Sequence, residues 1–302
     1  MSMRYQAGIV LPGYNPLKVA DAPTIGTATG GNASASVTFT APADIGGGAI
    51  TGYSVVSTPG GFIGTGASSP ITVSGLSNGT AYTFKVWATN AYGPSPLSAA
   101  SNSVTPVALP SVIGQAYGGG YYAGQIGISS VATHYLIVGP VASAQNASIQ
   151  WKNANTSTAG TSSVIDGPTN SSNMNNASHP AAQFCEGLTI GGFSDWYMPA
   201  VNELDVCYFN LKPSTASNST SAGRNANAVP ARDIDYTAGT PAQTSATDFQ
   251  TGNAEAFAVA RYWASTQFSA GYGWKQFFQT GLENDGTKTY SYAVRAIRRV
   301  AV

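Results

Sequence analysis

Side chains that could carry nucleophilic, acid–base or metal chemistry are scarce in this chain of 302 residues. His134 and His179 are its two histidines, and Cys185 and Cys207 are its two cysteines. A structural zinc site takes four Cys or His ligands, and a catalytic triad needs a histidine between a nucleophile and an acid, so little material exists for either. Both cysteines fall in apolar helical patterns, which favours two buried free thiols over a single disulfide.

Carboxylates are equally sparse. A glycosidase needs two of them facing each other across a groove. Glu283-Asn284-Asp285 offers the hard oxygen ligands that calcium prefers, but an Asn-Asp-Gly hairpin turn explains the same residues without a metal. We therefore predict a protein that is not an enzyme and has no cofactor, with calcium as the less favoured alternative. The acids outside turn-like segments stand in no recognisable catalytic motif: Glu186, Glu203, Asp205, Glu255 and Glu283.

The overall charge pattern argues against two classes of partner. Charged residues make up 9% of the chain, compared with about 25% in a typical soluble domain. The 13 basic and 13 acidic residues cancel, and no Lys/Arg block exists to bind phosphates or an anionic membrane. We expect no nucleic acid partner and no membrane insertion. A surface made polar by Ser, Thr, Asn and Gly is typical of extracellular stalks and virion proteins.

The first 21 residues form a short apolar and aromatic arm. Pro12, Gly13 and Pro16 interrupt any helix there, and no signal-peptide pattern precedes Pro12. The arm either packs on the domain that follows or docks on another subunit as a virion anchor. The missing export signal favours release by lysis, as for a phage structural protein. The candidate anchor residues are Tyr5, Ile9, Val10, Leu11, Tyr14 and Leu17.

Short alternating runs of apolar and polar residues fill positions 22–106. Runs at 37–40 and 50–55 have the period of two that is expected of strands covered on one face, and Gly- and Pro-rich turns separate them. Short strands at this spacing predict a β-sandwich. In the clearest run, one face carries only apolar side chains: Tyr82, Phe84, Val86 and Ala88.

Ala22-Pro23, the run 37–42 and the segment 76–93 resemble a fibronectin type III domain. Phe39 stands where that family usually has Trp, and Tyr82 stands at the position of the tyrosine corner, whose phenol bonds to the preceding backbone. The resemblance implies an all-β immunoglobulin-like sandwich over 22–106, acting as a spacer or adhesive module without chemistry.

After a linker at 107–112, residues 113–302 are predicted to form a second domain. One helix should begin near His179, with Pro180 in its first turn, and end before Gly187 or before Gly191-Gly192. A second helix should span about Val201 to Leu211. The polar stretches 153–176 and 213–258 have loop composition, and loops of such length are usually functional or disordered. The predicted strands are 135–138, 261–265, 273–279 and 290–300.

Four blocks in this second domain, in order, resemble the Lcl C-terminal family, which is related to C-type-lectin-like folds. The resemblance implies an α+β C-type-lectin-like domain whose loops bind a ligand while a small twisted sheet supports them. The blocks are Ala181–Cys185, Gly192–Leu204, Tyr262–Thr266 and Val294–Arg298.

Within these blocks most residues are expected to be structural. Large aromatics dominate core burial, and we predict buried positions for Trp196, Pro199, Leu204 and Trp263. Two arginines near the end of the chain, three residues apart, either pair with an acid among Asp195, Glu203 and Glu283 or face solvent, and pairing is the favoured alternative. These arginines are Arg295 and Arg298.

Seven polar and aromatic residues of the last third are candidates for ligand binding. Tyr and Trp offer contact area at low entropy cost and could stack on sugars. Strand alternation predicts that half of such a set faces inward, and the sequence alone does not fix which half. The candidates are Tyr272, Trp274, Gln276, Asn284, Asp285, Tyr290 and Tyr292.

Two functions remain. In the first, the chain is a phage virion surface protein whose second domain binds a host-surface glycan or protein, with the fibronectin-like domain as spacer. In the second, it decorates a capsid or another virion surface, anchored to other virion proteins by the N-terminal arm. A bacterial surface adhesin comes third, because an export signal is missing. A homo-oligomer is expected in each case on a symmetric particle.

Overall fold

The computed structural model describes residues 17–302, which fall into two compact units divided between Leu109 and Pro110. Of the six candidate anchor residues, Leu17 lies in this range, and 68% of its surface is exposed. Within residues 17–302 no helix is long and apolar enough to cross a membrane. The remaining anchor candidates lie outside the described residues: Tyr5, Ile9, Val10, Leu11 and Tyr14.

The first unit is a sandwich of two antiparallel sheets. One sheet has the strand order β1-β2-β5 and the other β4-β3-β6-β7. The strands are β1 (Thr24–Gly31), β2 (Ser34–Thr40), β3 (Ile50–Thr58), β4 (Ile63–Gly66), β5 (Ile71–Ser74), β6 (Thr83–Asn90) and β7 (Gly93–Pro94).

The core of the sandwich follows the alternation seen in the sequence. Along β6 the even-numbered side chains are buried, whereas Lys85 is exposed and Trp87 is half-buried. Phe39 and Tyr53 pack against each other across the core, with ring centroids 4.8 Å apart. The predicted inward face is therefore confirmed: Tyr82, Phe84, Val86 and Ala88 are all buried.

Tyr82 forms the tyrosine corner that its position predicts. Its hydroxyl accepts a hydrogen bond from the backbone N–H of Ser77 at 3.0 Å, and the ring is buried. The bond fixes the chain segment that leads into β6, because it closes the five residues before Tyr82 into a loop.

The segment after β7 pairs with β6 through serines spaced three residues apart, a feature that the sequence patterns above do not predict. Ser98 donates its N–H to the Val86 carbonyl at 2.9 Å, and its hydroxyl accepts the Val86 N–H at 3.0 Å. Ser95 and Ser101 repeat the arrangement with Ala88 and Phe84. A period of three is the repeat of extended polyproline II backbone, so all three serines face β6. Their hydroxyls accept the β6 N–H groups that a regular strand would pair with its carbonyls.

The second unit is mostly β-sheet with short helices. Its sheets have the orders β16-β10-β9-β8 and β11-β15-β12-β13-β14. The strands are β8 (Ala116–Tyr117), β9 (Gly120–Ile128), β10 (Val131–Val138), β11 (Gln145–Gln150), β12 (Arg261–Gln267), β13 (Tyr272–Phe277), β14 (Glu283–Thr287), β15 (Ser291–Arg295) and β16 (Ile297–Ala301). The helices are α1 (Val141–Ala144), α2 (Gly167–Ser172), α3 (Pro180–Glu186) and α4 (Val201–Leu211), with a 3-10 turn at Thr247–Phe249.

Both helices predicted from sequence are confirmed, and the first ends at the earlier of its two predicted positions. Pro180 begins α3, and Gly187 follows it. Helix α4 buries an apolar stripe, and Glu203 in its first turn accepts the Ala200 N–H at 2.8 Å. Cys185 and Cys207 are buried free thiols, which confirms that interpretation.

Residues 213–258 lack regular strands but are built into the core of the second unit. Tyr236, Phe249 and Phe257 are buried and share one apolar cluster with α4. Phe257 stacks on Phe278 with ring centroids 4.1 Å apart. This long polar segment is therefore held by a few large aromatic side chains.

The arginine pairs are confirmed in part. Arg298 binds Asp195 with two hydrogen bonds, of 2.7 and 2.9 Å, as predicted. Arg295 instead pairs with Glu255 at 2.7 Å, which the predicted set of acids did not include. Glu203 pairs with Arg299 at 2.6 Å. The partners differ from the prediction because the long polar segment 213–258 places Glu255 beside β15. The four expected core residues are buried: Trp196, Pro199, Leu204 and Trp263.

The predicted Asn-Asp-Gly turn at 284–286 is wrong. Residues 283–287 form β14, and the chain turns earlier, where Gly281 has φ of +72° and donates its N–H to the Phe277 carbonyl at 2.8 Å. Alternation along β14 places Asn284 on the face opposite to Glu283 and Asp285. The three oxygen-bearing side chains therefore do not converge as a calcium site would require.

Candidate ligand-binding surface

The seven candidate residues do not lie on one face of the sheet. In the β13–β14 register, Trp274 opposes Asp285 and Lys275 opposes Asn284. Adjacent pairs point to opposite faces, so Asn284 lies on the other side from Trp274. Candidates that alternate along a strand are thus divided between two packing layers.

Tyr272 and Trp274 follow one face of β13 but differ in exposure. Tyr272 is 44% exposed, whereas Trp274 is half-buried and packs on the core cluster that includes α4. The Trp274 ring also meets Phe268 edge-on, with centroids 5.1 Å apart. Tyr272 is consequently available to a ligand, while Trp274 supports Phe268 from beneath.

Gln276, farther along the same face, is fully buried. Its Nε2 donates weakly to the Gly281 carbonyl at 3.3 Å and to the Glu283 carboxylate at 3.4 Å, and its Oε1 has no partner within residues 17–302. Burial raises the pKa of Glu283 to about 7. Gln276 is therefore a core residue and not a ligand contact.

On the opposite face, Lys275 organises two further candidates. Its Nζ lies 2.8 Å from Asn284 Oδ1, also bonds the Asp285 carbonyl, and sits 5.5 Å from the centre of the Tyr292 ring. Tyr292 in turn packs on Trp263 at 4.7 Å between centroids. Asn284 is exposed but tied to the buried ammonium, so this face is principally structural.

Three loops meet at Lys288, a residue that sequence reasoning did not single out. Its Nζ donates to the carbonyls of Thr156 (3.0 Å) and Ala270 (2.9 Å) and to Gln267 Oε1 (2.5 Å). The ammonium also lies 4.4 Å from the centre of the Trp151 ring. This one buried side chain joins the loop at 152–160, the turn at 267–272 and the turn at 287–290.

Lys152 lies beside Lys288 and binds the same loop. Its Nζ donates to the Ser157 carbonyl at 2.9 Å, to Thr158 Oγ1 at 3.0 Å and to the Thr156 carbonyl at 3.3 Å. Burial, with Lys152 as a second cause, lowers the pKa of Lys288 to about 8. Both ammonium groups therefore replace water by carbonyl and hydroxyl oxygens.

Exposed aromatic side chains surround this junction. Phe268 is 52% exposed, Tyr272 44% and Tyr290 59%, each on one of the two turns that Lys288 joins. We define the three-loop surface as residues 153–160, 267–272 and 287–290. Sequence reasoning found Tyr272 and Tyr290 and missed Phe268. The run at 267–271, with Ala270-Gly271 after an aromatic, was the available signal for a turn that displays Phe268.

Among the pockets elsewhere in the second unit, two lie on either side of Arg299. One of about 290 Å³ is lined by Glu186, Asp195 and Trp196, and one of about 300 Å³ by His134 and Ile165 among others. No three His, Cys, Asp or Glu side chains converge on a possible metal position anywhere in residues 17–302. Arg299 and Asp195 already form ion pairs, so neither side chain carries an uncompensated charge into these two pockets.

Comparison with known proteins finds relatives of the first unit. The family model described as fibronectin type III domain matches residues 21–104. Similar solved structures include titin kinase with its flanking domains and titin domains A168–A170. Each titin structure is 30% identical to this chain over 30% of its length, with a TM-score of 0.27. The matched region makes up 17% of the first titin chain and 32% of the second. A human fourth FNIII domain is 23% identical over 37% of this chain and 96% of its own, also at 0.27.

A search of curated proteins gives no significant match to the chain. The chain spans less than a third of the length of the first two titin structures. The family match agrees with the sandwich, its buried alternating face and the Tyr82 corner described above. Residues 21–104 therefore form a fibronectin type III domain.

Proposed function

We propose that this chain is a non-enzymatic phage virion surface protein whose second unit binds a host-surface glycan or protein receptor through the three-loop surface. The observation that carries the proposal is the group of exposed aromatic rings, Phe268, Tyr272 and Tyr290, around one buried junction. Isolated exposed aromatics are common, but three on loops that share a rigid centre are preorganised for stacking. The fibronectin type III domain acts as the spacer.

We further propose that the second unit is a C-type-lectin-like domain. Support comes from the four sequence blocks, whose aromatic residues Trp196 and Trp263 lie in the core, and from the antiparallel pairing of β10 with the C-terminal β16. In this arrangement the sheets provide the stability and the loops provide the binding residues, so a loop can change in sequence without loss of the fold.

Stacking would supply most of the affinity. An aromatic ring packs on the apolar face of a sugar, and the flanking loop oxygens and amides set orientation. The loop at 153–160 provides such groups, with exposed Asn153, Asn155, Thr156 and Ser157. It borders the aromatic turns directly, since a Cβ on Gly271 would lie 3.7 Å from the Asn155 Cβ.

The test is adsorption by particles that carry Tyr272→Ala together with Tyr290→Ala. Both rings are exposed, so the double variant should fold normally and lose adsorption by about thirtyfold or more, at about 1 kcal/mol or more for each aromatic contact removed. Tyr92→Ala removes a similarly exposed ring from the first unit and serves as the matched control. Trp274→Ala is a poorer choice because its half-buried ring packs on the core. Unchanged adsorption by the folded double variant would refute the site.

Location is tested by immunogold labelling of purified particles with antibody against residues 113–302. Gold at the tail or fibre end supports receptor binding. Gold over the head would favour capsid decoration by a protein anchored through its N-terminal arm. Particles without gold, together with labelling of intact cells, would favour the bacterial surface adhesin.

A further inference from the structure

The two lysines beneath the three-loop surface lack acidic partners. Lys152 and Lys288 are buried, and neither takes part in any ion pair of residues 17–302. The neighbouring sequence explains this, because 151–165, 256–282 and 286–302 contain no Asp or Glu. Two positive charges therefore lie behind the surface without neutralisation.

The third titratable group at this junction does not compensate them. His179 Nε2 lies 2.9 Å from Thr158 Oγ1, and burial followed by the two lysines lowers its pKa to about 4. The imidazole is consequently neutral at pH 7. Lys288 contacts only oxygens of amides and carbonyls and the face of Trp151, groups that stabilise a cation but do not cancel its charge.

The peptide group between Thr156 and Ser157 is polarised by the two ammonium groups and lies between them and the surface. Both ammonium groups donate to the Thr156 carbonyl, at 3.3 and 3.0 Å. In a trans peptide the N–H points opposite to the carbonyl, so the Ser157 N–H points away from the lysines. Ser157 is exposed, and its N–H has no acceptor among residues 17–302.

The Ser157 hydroxyl adds a second donor. Its Oγ accepts the Gln267 amide at 3.3 Å, which leaves its own proton free to donate outward. Two donors on one exposed residue, polarised by two cations behind them, match the two oxygens of a carboxylate. Gln267 immediately precedes Phe268, so the donors adjoin the aromatic rings.

We propose that the ligand of the three-loop surface is an acidic glycan whose carboxylate binds the N–H and hydroxyl of Ser157 while a sugar ring stacks on Tyr272, Tyr290 or Phe268. This inference rests on the proposed function and names the ligand class for the same site. A neutral sugar could stack equally well but would gain nothing from the buried charges.

The first experiment is a binding screen of the full chain on glycans in matched pairs, each acidic glycan beside the same glycan with its carboxylates reduced to alcohols. Reduction should weaken binding at least about tenfold, the loss expected for a charge-assisted hydrogen bond. Raising ionic strength from about 0.01 to 0.15 M, which shortens the Debye length from about 30 to about 8 Å, should weaken the acidic member selectively.

Failures of the two proposals give different results. Equal binding of both members, lost in the Tyr272→Ala/Tyr290→Ala variant, would overturn the acidic ligand and leave glycan recognition standing. Binding of neither member would overturn both. If the chain binds double-stranded DNA as tightly as the acidic glycans, the attraction is a nonspecific one for polyanions, and the proposal of an acidic glycan ligand is overturned.

Variants locate the carboxylate. Ser157→Asp places a negative charge at the donor position and should abolish the preference for the acidic member, whereas Ser162→Asp adds the same charge at another exposed serine of the segment and should retain it. Lys288→Met should also remove the preference. Lys212→Met is its control, because Lys212 is likewise buried against carbonyls, those of Ala216 and Pro241. If Lys288→Met fails to fold, the Ser157→Asp result decides, and an unchanged acidic preference in that variant overturns the proposal.

Discussion

Replacing Arg295 by Met should strongly destabilise the second unit. Arg295 has a fully buried side chain, and its guanidinium donates to the Gly139 carbonyl (2.8 Å), the Glu255 carbonyl (2.8 Å) and the Glu255 carboxylate (2.7 Å). Met keeps the apolar stem beside Phe257 but removes all three donors. The Glu255 carboxylate, with 12% of its side chain exposed, then keeps two neutral donors, the Val141 N–H at 2.8 Å and the Tyr121 hydroxyl at 3.4 Å.

The magnitude follows from leaving a buried charge without its partner. We expect the free energy of unfolding to fall by about 3–5 kcal/mol. At a slope of about 3 kcal/mol/M, the urea midpoint should move down by about 1 M or more. Tryptophan fluorescence reports this transition, because of the five tryptophans only Trp87 lies in the first unit.

Arg298→Met is the matched comparison. Its partner Asp195 has 54% of its side chain exposed, so water can replace the lost donors and the expected cost is about 1–2 kcal/mol. The reasoning is refuted if Arg295→Met shifts the midpoint no further than Arg298→Met. A double variant, Arg295→Met with Glu255→Gln, should recover part of the loss, because the stranded charge is then removed.

Three further results are expected. Tyr82→Phe removes the hydroxyl that accepts the Ser77 N–H, so calorimetry should show a decrease of about 1 kcal/mol, or about 4–8 °C, in the transition of the fibronectin type III domain, with the transition sensitive to Arg295→Met unchanged. Because the pKa of His179 is lowered to about 4, the stability that the neutral imidazole contributes is fully present above about pH 6.5 and is lost as the pH falls toward 4. The urea midpoint should therefore drop over that window in the native chain and drop less in His179→Gln. Equal drops in the two proteins would contradict the assignment. Burial raises the pKa of the Cys185 thiol well above its usual range and that of Cys207 to about 12, so a thiol reagent should label neither cysteine in the native protein and both in denaturant, and labelling of the native protein would contradict their burial.

Much of the local structure could be predicted from sequence. The apolar stripe and Pro180 placed α3 and α4, and alternation gave the inward face of β6, because both signals depend on residues within one or two turns of each other. The Asn-Asp-Gly turn failed for the opposite reason. Its residues suit a turn locally, but pairing of β14 with β13 draws them into the sheet and moves the turn to Gly281.

What the sequence determined, then, is periodicity, and with it the sandwich, the two helices and the set of aromatics from which Tyr272 and Tyr290 come. A period of two fixes which residues share a face but not which face is covered. Packing against α4 and the long polar segment 213–258 therefore decided that Gln276 is buried and Trp274 half-buried. The junction at Lys288 was decided by tertiary structure alone. It joins Thr156 to Gln267 and Lys288 across more than a hundred residues of chain, and no local pattern records a contact that exists only once the sheets have formed.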